Sequence, residues 1–340
     1  MRPSFHPRLI NDPFSDPGLF IPFLFEKRAL MFDLGNVGRL SSGDLLKITH
    51  VFVTHTHMDH FIGFDELLRL FLGRNKTLNL YGPPGFFHHL EGKLHGYTWN
   101  LVHEYENDFS MVVHEVHETQ VLSKTYACRS RFRSEARTEA TGFSGLLLEE
   151  PAFSVKAVHL DHRIPCLGLS LEERLYVNII KGRLKEQRLP VGPWLNRFKA
   201  AIYDQKDPGA PFSVSWKDQD GLVHEKAFIL GDLTNAIARM TPGQKIVYIT
   251  DVLGSAENVS KILELARGAD ALFIEAAFLH EDLDLARKKY HLTARQAGDI
   301  ARRAGAKSVQ LFHFSPRYRG REATLEGEAR EAYAGDTYRD

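Results

Sequence analysis

Between Thr54 and His60 the chain reads Thr-His-Thr-His-Met-Asp-His, which places His55, His57, Asp59 and His60 within one short segment. Imidazole and carboxylate together form a borderline-to-hard donor set, suited to zinc first and to manganese or iron less well. If the apolar run His50–Thr54 is a strand, its alternation sends His55 and His57 to the same side. A turn after it then brings Asp59 and His60 round to a second point. That arrangement suits two metal ions rather than one, and core packing gives no reason for it. The chain holds 17 histidines, and histidine is both the commonest metal ligand and the usual acid–base group near neutral pH.

Such a motif needs rigid elements behind it. Short β-branched and aromatic runs, punctuated by Gly, Pro and Asn, predict strands at Ala29–Leu34, His50–Thr54, Leu78–Tyr81, Met111–Val116, Gly145–Leu148 and Phe153–Val158. Phe64, Leu67, Leu68 and Phe71 recur at helical spacing and predict a helix over Gly63–Leu72. Further on, strands are expected at Lys226–Leu230, Lys245–Thr250, Ala271–Glu275 and Ser308–Phe312. Helices are expected near Glu257–Arg267 and Thr293–Ala304, the latter with Thr293 as N-cap and Gly305 as its stop. The segment Leu171–Ala210 differs in composition. It reads as a charged helix, Glu172–Gln187, followed by Leu189-Pro190-Val191-Gly192-Pro193-Trp194-Leu195, an excursion inserted between two β-rich halves. From Lys181 to Lys199 there are six Lys/Arg against the single acid Glu186.

Composition limits the function classes. With 340 residues, 43% of them apolar, the chain can bury a large core, which excludes a disordered or fibrous protein. The 43 Lys+Arg balance 43 Asp+Glu, so a globally electropositive nucleic-acid binder is excluded and only local basic patches remain. Two cysteines, Cys128 and Cys166, supply neither a disulfide framework nor a cysteine zinc site. Prolines and acids interrupt the N-terminal region before the short run Gly18–Phe25, so neither a signal peptide nor a membrane span is expected and the cytoplasm is the expected compartment.

The motif resembles the His-x-His-x-Asp-His signature of the metallo-β-lactamase superfamily, and other pieces follow in that superfamily's order along nearly the whole chain. Asp33 in Phe-Asp-Leu-Gly resembles its first acidic motif, which shapes the site without binding metal. His162 resembles the third-motif histidine, with His159 competing for that position. Asp251 resembles the bridging aspartate, and His313 the last ligand. Within the superfamily the chain is most similar to ribonuclease Z, the endonuclease of precursor tRNA 3′ ends. The run His162-x5-Gly168, the Gly192-Pro193 pair in the insert, Glu275-Ala-Ala with His291-Leu-Thr, and His313-Phe-Ser-Pro-Arg-Tyr carry that similarity. Thr250 stands where that family has a glycine, and its N-terminal glycine-rich, arginine–asparagine segment has no counterpart in Met1–Lys27.

The resemblance implies a fold and a chemistry. The fold is α/β, an αββα sandwich of two mixed sheets flanked by helices, a single domain over residues 1–340 carrying an inserted helical arm over 171–210. His55, His57 and His162 would hold one divalent ion, Asp59, His60 and His313 a second, and Asp251 would bridge them. A water between the ions would lose its proton near neutral pH and attack a phosphodiester. Asp59, His291 and Glu275 form the implied catalytic set, with His291 as general acid oriented by Glu275. The arm would grip RNA through Lys181, Arg183, Lys185, Arg188, Gly192 and Pro193, with Trp194 and Tyr203 either stacking on bases or anchoring the arm. A second basic stretch, Lys124–Arg137, sets Lys124, Arg129, Arg131, Arg133 and Arg137 against Glu135. The expected partner is RNA such as precursor tRNA, and a homodimer is implied. Two other readings remain at this stage: a hydrolase of another phosphodiester or small ester, and an RNA-binding scaffold with little activity.

Overall fold

The computed structural model describes residues 5–24, 26–134, 138–218 and 221–335. These form two compact units, a smaller one of Leu148–Ser154 and Glu172–Gln244 and a larger one holding the rest.

The larger unit is built on two sheets. The first has eight strands that follow one another in chain order, with Ala29–Phe32, Ile48–Phe52, Lys76–Gly82 and Phe109–Val116 parallel at its centre. Helices Phe64–Phe71 and Phe86–His95 cover one face, burying Phe64, Leu67, Phe71, Phe86 and Leu90 with Leu78, Leu80 and Val113. The second sheet has six strands in the order Val309–Phe312, Ala271–Glu275, Lys245–Ile249, Pro165–Glu173, Phe153–Asp161 and Leu146–Glu149, the first three parallel. Helices Ala256–Ala266, Ala294–Ala304 and Glu322–Ala334 share a core with it through Ile262, Ile300 and Leu325. Between the sheets lie Phe32, Phe52 and Tyr248, with Phe32 and Tyr248 ring centroids 6.0 Å apart. This is the expected αββα sandwich. Thr293 caps its helix with a reciprocal Gln296 capping box, and Gly305 ends it at φ 65°, as the sequence predicts.

The smaller unit departs from the expected elements. It groups Glu172–Gln244 with Leu148–Ser154, and so takes in residues on both sides of the expected 171–210 arm. Glu172–Gln187 is not one helix: Leu175–Ile179 is a strand paired antiparallel with Ala238–Pro242, and only Lys181–Glu186 is helical. The charges suggested a solvated helix, but the run Tyr176-Val177-Asn178-Ile179-Ile180 carries the β-branched and aromatic composition of a strand. The strand expected at Lys226–Leu230 is Val223–Ile229, and it pairs with Pro211–Lys217 in a hairpin. Leu184, Leu189, Trp194, Phe198, Val214, Leu230, Leu233 and Ile237 give this unit its own core. Among the described residues no helix is long and apolar enough to cross a membrane.

Candidate metal centre

Ligand-type side chains gather where parallel strands end. Asp33 follows Ala29–Phe32, the His55 segment follows Ile48–Phe52, Asp251 follows Lys245–Ile249, and His313 follows Val309–Phe312, while Glu275 ends Ala271–Glu275. Parallel strands place all their carboxyl ends on one side, which is where open α/β sheets bind ligands. His57 is the N-cap of the short helix Met58–Phe61, so the chain turns there and brings the His60 ring back to 4.2 Å from that of His55. Three of these residues leave their strands in the left-handed region: Asp33 at φ 57°, Asp251 at 47° and His313 at 60°. Each such conformation costs about 1–3 kcal/mol outside glycine and persists where surrounding structure enforces it.

Two groupings of donor atoms result. His55, His57, His162 and Asp251 converge within 4.8 Å of one another, and so do Asp59, His60 and His313. Asp251 faces both. Its Oδ2 lies 3.5 Å from His55 Nε2 and 3.2 Å from His162 Nε2, and its Oδ1 lies 3.4 Å from His60 Nε2 and 3.2 Å from His313 Nδ1. The outer hydrogen bonds fix which ring nitrogens point inward. His60 Nδ1 meets Asp33 Oδ2 at 2.8 Å and His162 Nδ1 donates to the Tyr290 carbonyl at 2.7 Å. The Thr54 hydroxyl donates to Asp33 and is thereby left to accept from His55 Nδ1 at 3.1 Å. In the neutral rings each Nε2 would therefore present a lone pair to a carboxylate oxygen, and in His55 and His60 that atom is buried without a hydrogen bond. Lone pairs facing lone pairs repel, and a cation between them removes the repulsion. The donor set thus fits divalent metal ions, and the second nitrogens of His55, His60 and His162 are held as they are in metal sites.

Electrostatics say the same. Burial disfavours charge on Asp251, yet the imidazoles of His313 and His60 outweigh it and hold the carboxyl well below its ordinary range. Burial likewise opposes protonation of His313, but Asp251 and Asp59 push it up to about 10. His60 is raised well above normal against the same burial penalty, by Asp251 and Asp33. In His55 burial dominates, reinforced by His60, and the ring is driven well below the histidine range toward the neutral form a metal needs. The protons drawn to this cluster are ones that divalent cations would replace.

His291 sits at the edge. Its Nδ1 meets Glu275 Oε2 at 2.8 Å, and Glu275 Oε1 accepts the backbone N–H of Val252 at 2.8 Å and of Leu292 at 3.2 Å. Burial opposes protonation of His291, but Glu275 more than offsets it, so its pKa lies above the ordinary value. Asp251, Glu275, His291 and His313 also converge closely. The Glu275 oxygens are already occupied by hydrogen bonds, so this third grouping is an orienting network rather than a further ion site. His159 stays out of all three groupings, its Nε2 bonded to the Val116 carbonyl at 3.0 Å.

The remaining residues singled out in the sequence divide. Lys181, Arg183, Lys185, Arg188, Gly192 and Pro193 all belong to the smaller unit. There Arg183 donates to the Asn235 carbonyl and Pro193 caps the helix Trp194–Tyr203. Trp194 is an anchor, 1% exposed with its Nε1 donating to the Pro190 carbonyl, and is not free to stack on a base. The second basic stretch is weaker than its sequence suggests: Lys124 lies 3.6 Å from Glu91 and over the Phe87 ring, and Arg129 donates to the Glu106 carbonyl. Arg137 and Glu135 lie outside the described residues. Sequence reasoning missed Tyr248, whose hydroxyl donates to Asp33 Oδ2 at 3.1 Å, and the part played by Thr250, whose hydroxyl donates to Asp251 Oδ1 at 2.9 Å. Thr250 was visible only as a departure from a glycine.

Comparison with known proteins agrees with this geometry. A family model described as a beta-lactamase superfamily domain matches residues 12–155 and 233–314, leaving out most of the smaller unit. The chain is 33% identical over 279 residues to a ribonuclease Z of Deinococcus radiodurans, covering 79% of this chain and 76% of that protein. It is 29% identical to a ribonuclease Z of Bacillus velezensis, covering 85% and 76% respectively. The crystal structure of the metallo-beta-lactamase fold protein YhfI from Bacillus subtilis superposes with a TM-score of 0.52 at 14% identity, covering 97% of this chain and 94% of that one.

Proposed function

We infer that this chain, which belongs to the beta-lactamase superfamily and within it to the ribonuclease Z family, is a metal-dependent endoribonuclease that cleaves precursor tRNA near its 3′ end. The observation that carries the reading is the division of Asp251 between two imidazole groups, Oδ2 toward His55 and His162, Oδ1 toward His60 and His313. His55, His57 and His162 are the ligands of one ion, Asp59, His60 and His313 of the other, and Asp251 serves both. When bound, the two ions would supply an activated water and neutralise charge developing on the phosphate. The chain's own groups do the rest. Asp33, Thr54 and the Tyr290 carbonyl orient the ligand imidazoles. Glu275 holds His291 with a ring nitrogen available to protonate the departing ribose oxygen. The cations of the smaller unit bind RNA phosphates other than the scissile one. Zinc is the ion the donor set favours, the cytoplasm the compartment and a homodimer the assembly.

The test is a substrate panel run with zinc and with manganese, comparing precursor tRNA with a generic aryl phosphodiester, alongside metal content per chain. The reading expects about two ions per chain and a marked preference for the tRNA. A protein that hydrolyses only the small diester is a different phosphodiesterase, and one that binds RNA but hydrolyses neither is a scaffold.

A further inference from the structure

Beside the first ligand group lies a concavity of about 620 Å³ whose wall includes His57 and His162. Its other charged lining comes from Arg163, Arg287, Lys288 and Lys289, and no acid lines it. Arg287 has a long, exposed contact with Asp284 at 3.7 Å. Among the described residues Arg163, Lys288 and Lys289 form no ion pair. Four cations at one rim repel one another, so the cluster stores a charge imbalance that an anion would relieve.

The helix dipole explains part of this. Arg287, Lys288 and Lys289 end the helix Leu283–Lys289, where cations are favoured by a fraction of a kcal/mol. It does not explain Arg163, which arrives from the turn after Phe153–Asp161 and sets its guanidinium 5.7 Å from the Tyr290 ring centre. Both residues adopt the left-handed region, at φ 66° and 60°. For Tyr290 that conformation is the left-handed cap that ends Leu283–Lys289, whereas Arg163 reaches it in the turn after its strand. The two segments are also tied to the metal centre, because the Tyr290 carbonyl holds His162 Nδ1 and Arg163 follows His162 directly. The cations are therefore fixed in register with a ligand.

Direction follows from His291, which with His313 and Asp59 lines a different concavity, sharing only Lys289 with the first. A general acid sits beside the leaving oxygen, so the upstream ribose belongs on that side. The nucleotide that keeps the phosphoryl group then extends toward Arg163 and Lys288. We propose that the concavity of Arg163, Arg287, Lys288 and Lys289 is a subsite for the phosphate one linkage downstream of the scissile one. The proposal rests on the phosphodiesterase reading of the centre.

Two chromogenic esters isolate this contact. In the p-nitrophenyl ester of thymidine 5′-monophosphate, nitrophenolate takes the leaving position and the sugar 3′-hydroxyl lies where the next linkage would begin. The second ester carries a phosphate on that hydroxyl. Wild-type protein loaded with zinc or manganese should show a KM lower by about ten- to a hundredfold for the phosphorylated ester, as a charge-assisted contact would give. In Arg163→Asn/Lys288→Ala the ratio of the two KM values should fall to about one; Asn tolerates the left-handed backbone there. Should that variant lose metal, Lys288→Glu alone, on an exposed helix turn, should shrink the preference, because it halves the net charge of the four-cation lining. A wild-type ratio near one, or a ratio that survives in variants with full metal content, overturns the subsite while leaving the phosphodiesterase reading intact. Hydrolysis of neither ester with either metal overturns both together.

Discussion

The metal centre and the smaller unit both concentrate polar groups, but they hold them by opposite means. At the centre Asp33, Thr54, His55, His60, Asp251 and Glu275 are nearly or fully buried, and outer hydrogen bonds fix their orientation. In the smaller unit the apolar side chains are inside, with Trp194 and Phe198 in its core, while Lys181, Arg183, Lys185 and Arg188 stay exposed. Buried polar groups cost several kcal/mol when a partner is removed, whereas exposed charges act weakly and through screened fields. Changes at the centre should therefore act as large, salt-independent losses, and changes in the smaller unit as moderate, salt-dependent ones.

The sharpest break of that contrast would come at Asp251. Asp251→Ala removes the carboxylate that faces both imidazole groups, and should lower phosphodiester hydrolysis by more than the roughly 10²–10⁴-fold a general acid supplies. Metal analysis should show both ions weakened, while His60→Ala or His313→Ala should weaken one selectively. Retention of two tightly held ions in Asp251→Ala would mean that the carboxylate does not bridge.

His291→Ala comes next, with an expected loss of about 10²–10⁴-fold in kcat on RNA and unchanged metal content. A nitrophenolate leaving group needs little protonation, so an aryl diester should suffer much less. Equal losses on the two substrates would make His291 a positioning residue instead.

How much of this contrast the sequence displays differs between the regions. The Thr54–His60 motif is legible because local spacing alone sets its geometry, a strand end followed by one turn. Asp251, His162 and His313 lie far away in sequence, and only their order along the chain tied them to it. His159 and His162 looked equivalent, since the hydrogen bond that occupies His159 comes from Val116 on a strand of the other sheet. The helix Phe86–His95 escaped notice because Gly-Pro-Pro-Gly precedes it and the exposed pair His88 and His89 separates its apolar residues in sequence. Glu322–Ala334 escaped because it buries only Leu325 and Ala329. It packs so closely that a Cβ on Gly298 would lie 2.1 Å from the Ala329 carbonyl oxygen, a contact no periodicity displays. The smaller unit was misread most, because charge composition reports solvation and says little about whether a segment is helix or strand.

A subtler probe of the centre is Asp33→Asn. Asp33 touches no ion in the proposed scheme, but it accepts from the Thr54 N–H at 2.7 Å and holds His60 and Tyr248. Asparagine tolerates the φ of 57° there, so the backbone should survive. The amide then presents N–H to donors that need an acceptor, and His60 loses its orientation. Metal affinity should fall by about 10- to 100-fold at the group containing His60, as for other outer-shell carboxylates. A titration showing equal weakening at the His55–His57–His162 group would indicate general destabilisation rather than loss of orientation.

The smallest and most conditional effect belongs to the smaller unit, and the strand register gives a clean way to measure it. Ile179 and Ala238 are directly paired, and the Ile180 N–H donates to the Ile237 carbonyl. Residues 180–237 can therefore be replaced by Asn-Gly, the two-residue turn that suits a hairpin, keeping the strands Leu175–Ile179 and Ala238–Pro242. The replacement removes the six cations Lys181, Arg183, Lys185, Arg188, Arg197 and Lys199, along with Lys206, Lys217 and Lys226, and takes away no proposed ligand. Lys199 is half-buried, with a pKa lowered by that burial, and Arg197 donates to Ser215, so not all six are free for RNA. If roughly three meet phosphates, they contribute a slope of about −2 to −3 in log affinity against log salt. Raising salt from about 50 to about 200 mM should then weaken RNA binding by wild-type protein roughly 20- to 60-fold more than binding by the variant. The loss should fall mainly on KM, because contacts to phosphates other than the reacting one act alike in ground and transition states. Aryl phosphodiester hydrolysis should change far less, since that substrate carries no further phosphate for those cations. A folded variant with the wild-type salt slope and wild-type tRNA cleavage would remove the smaller unit from RNA recognition and leave that task to cations near the metal centre.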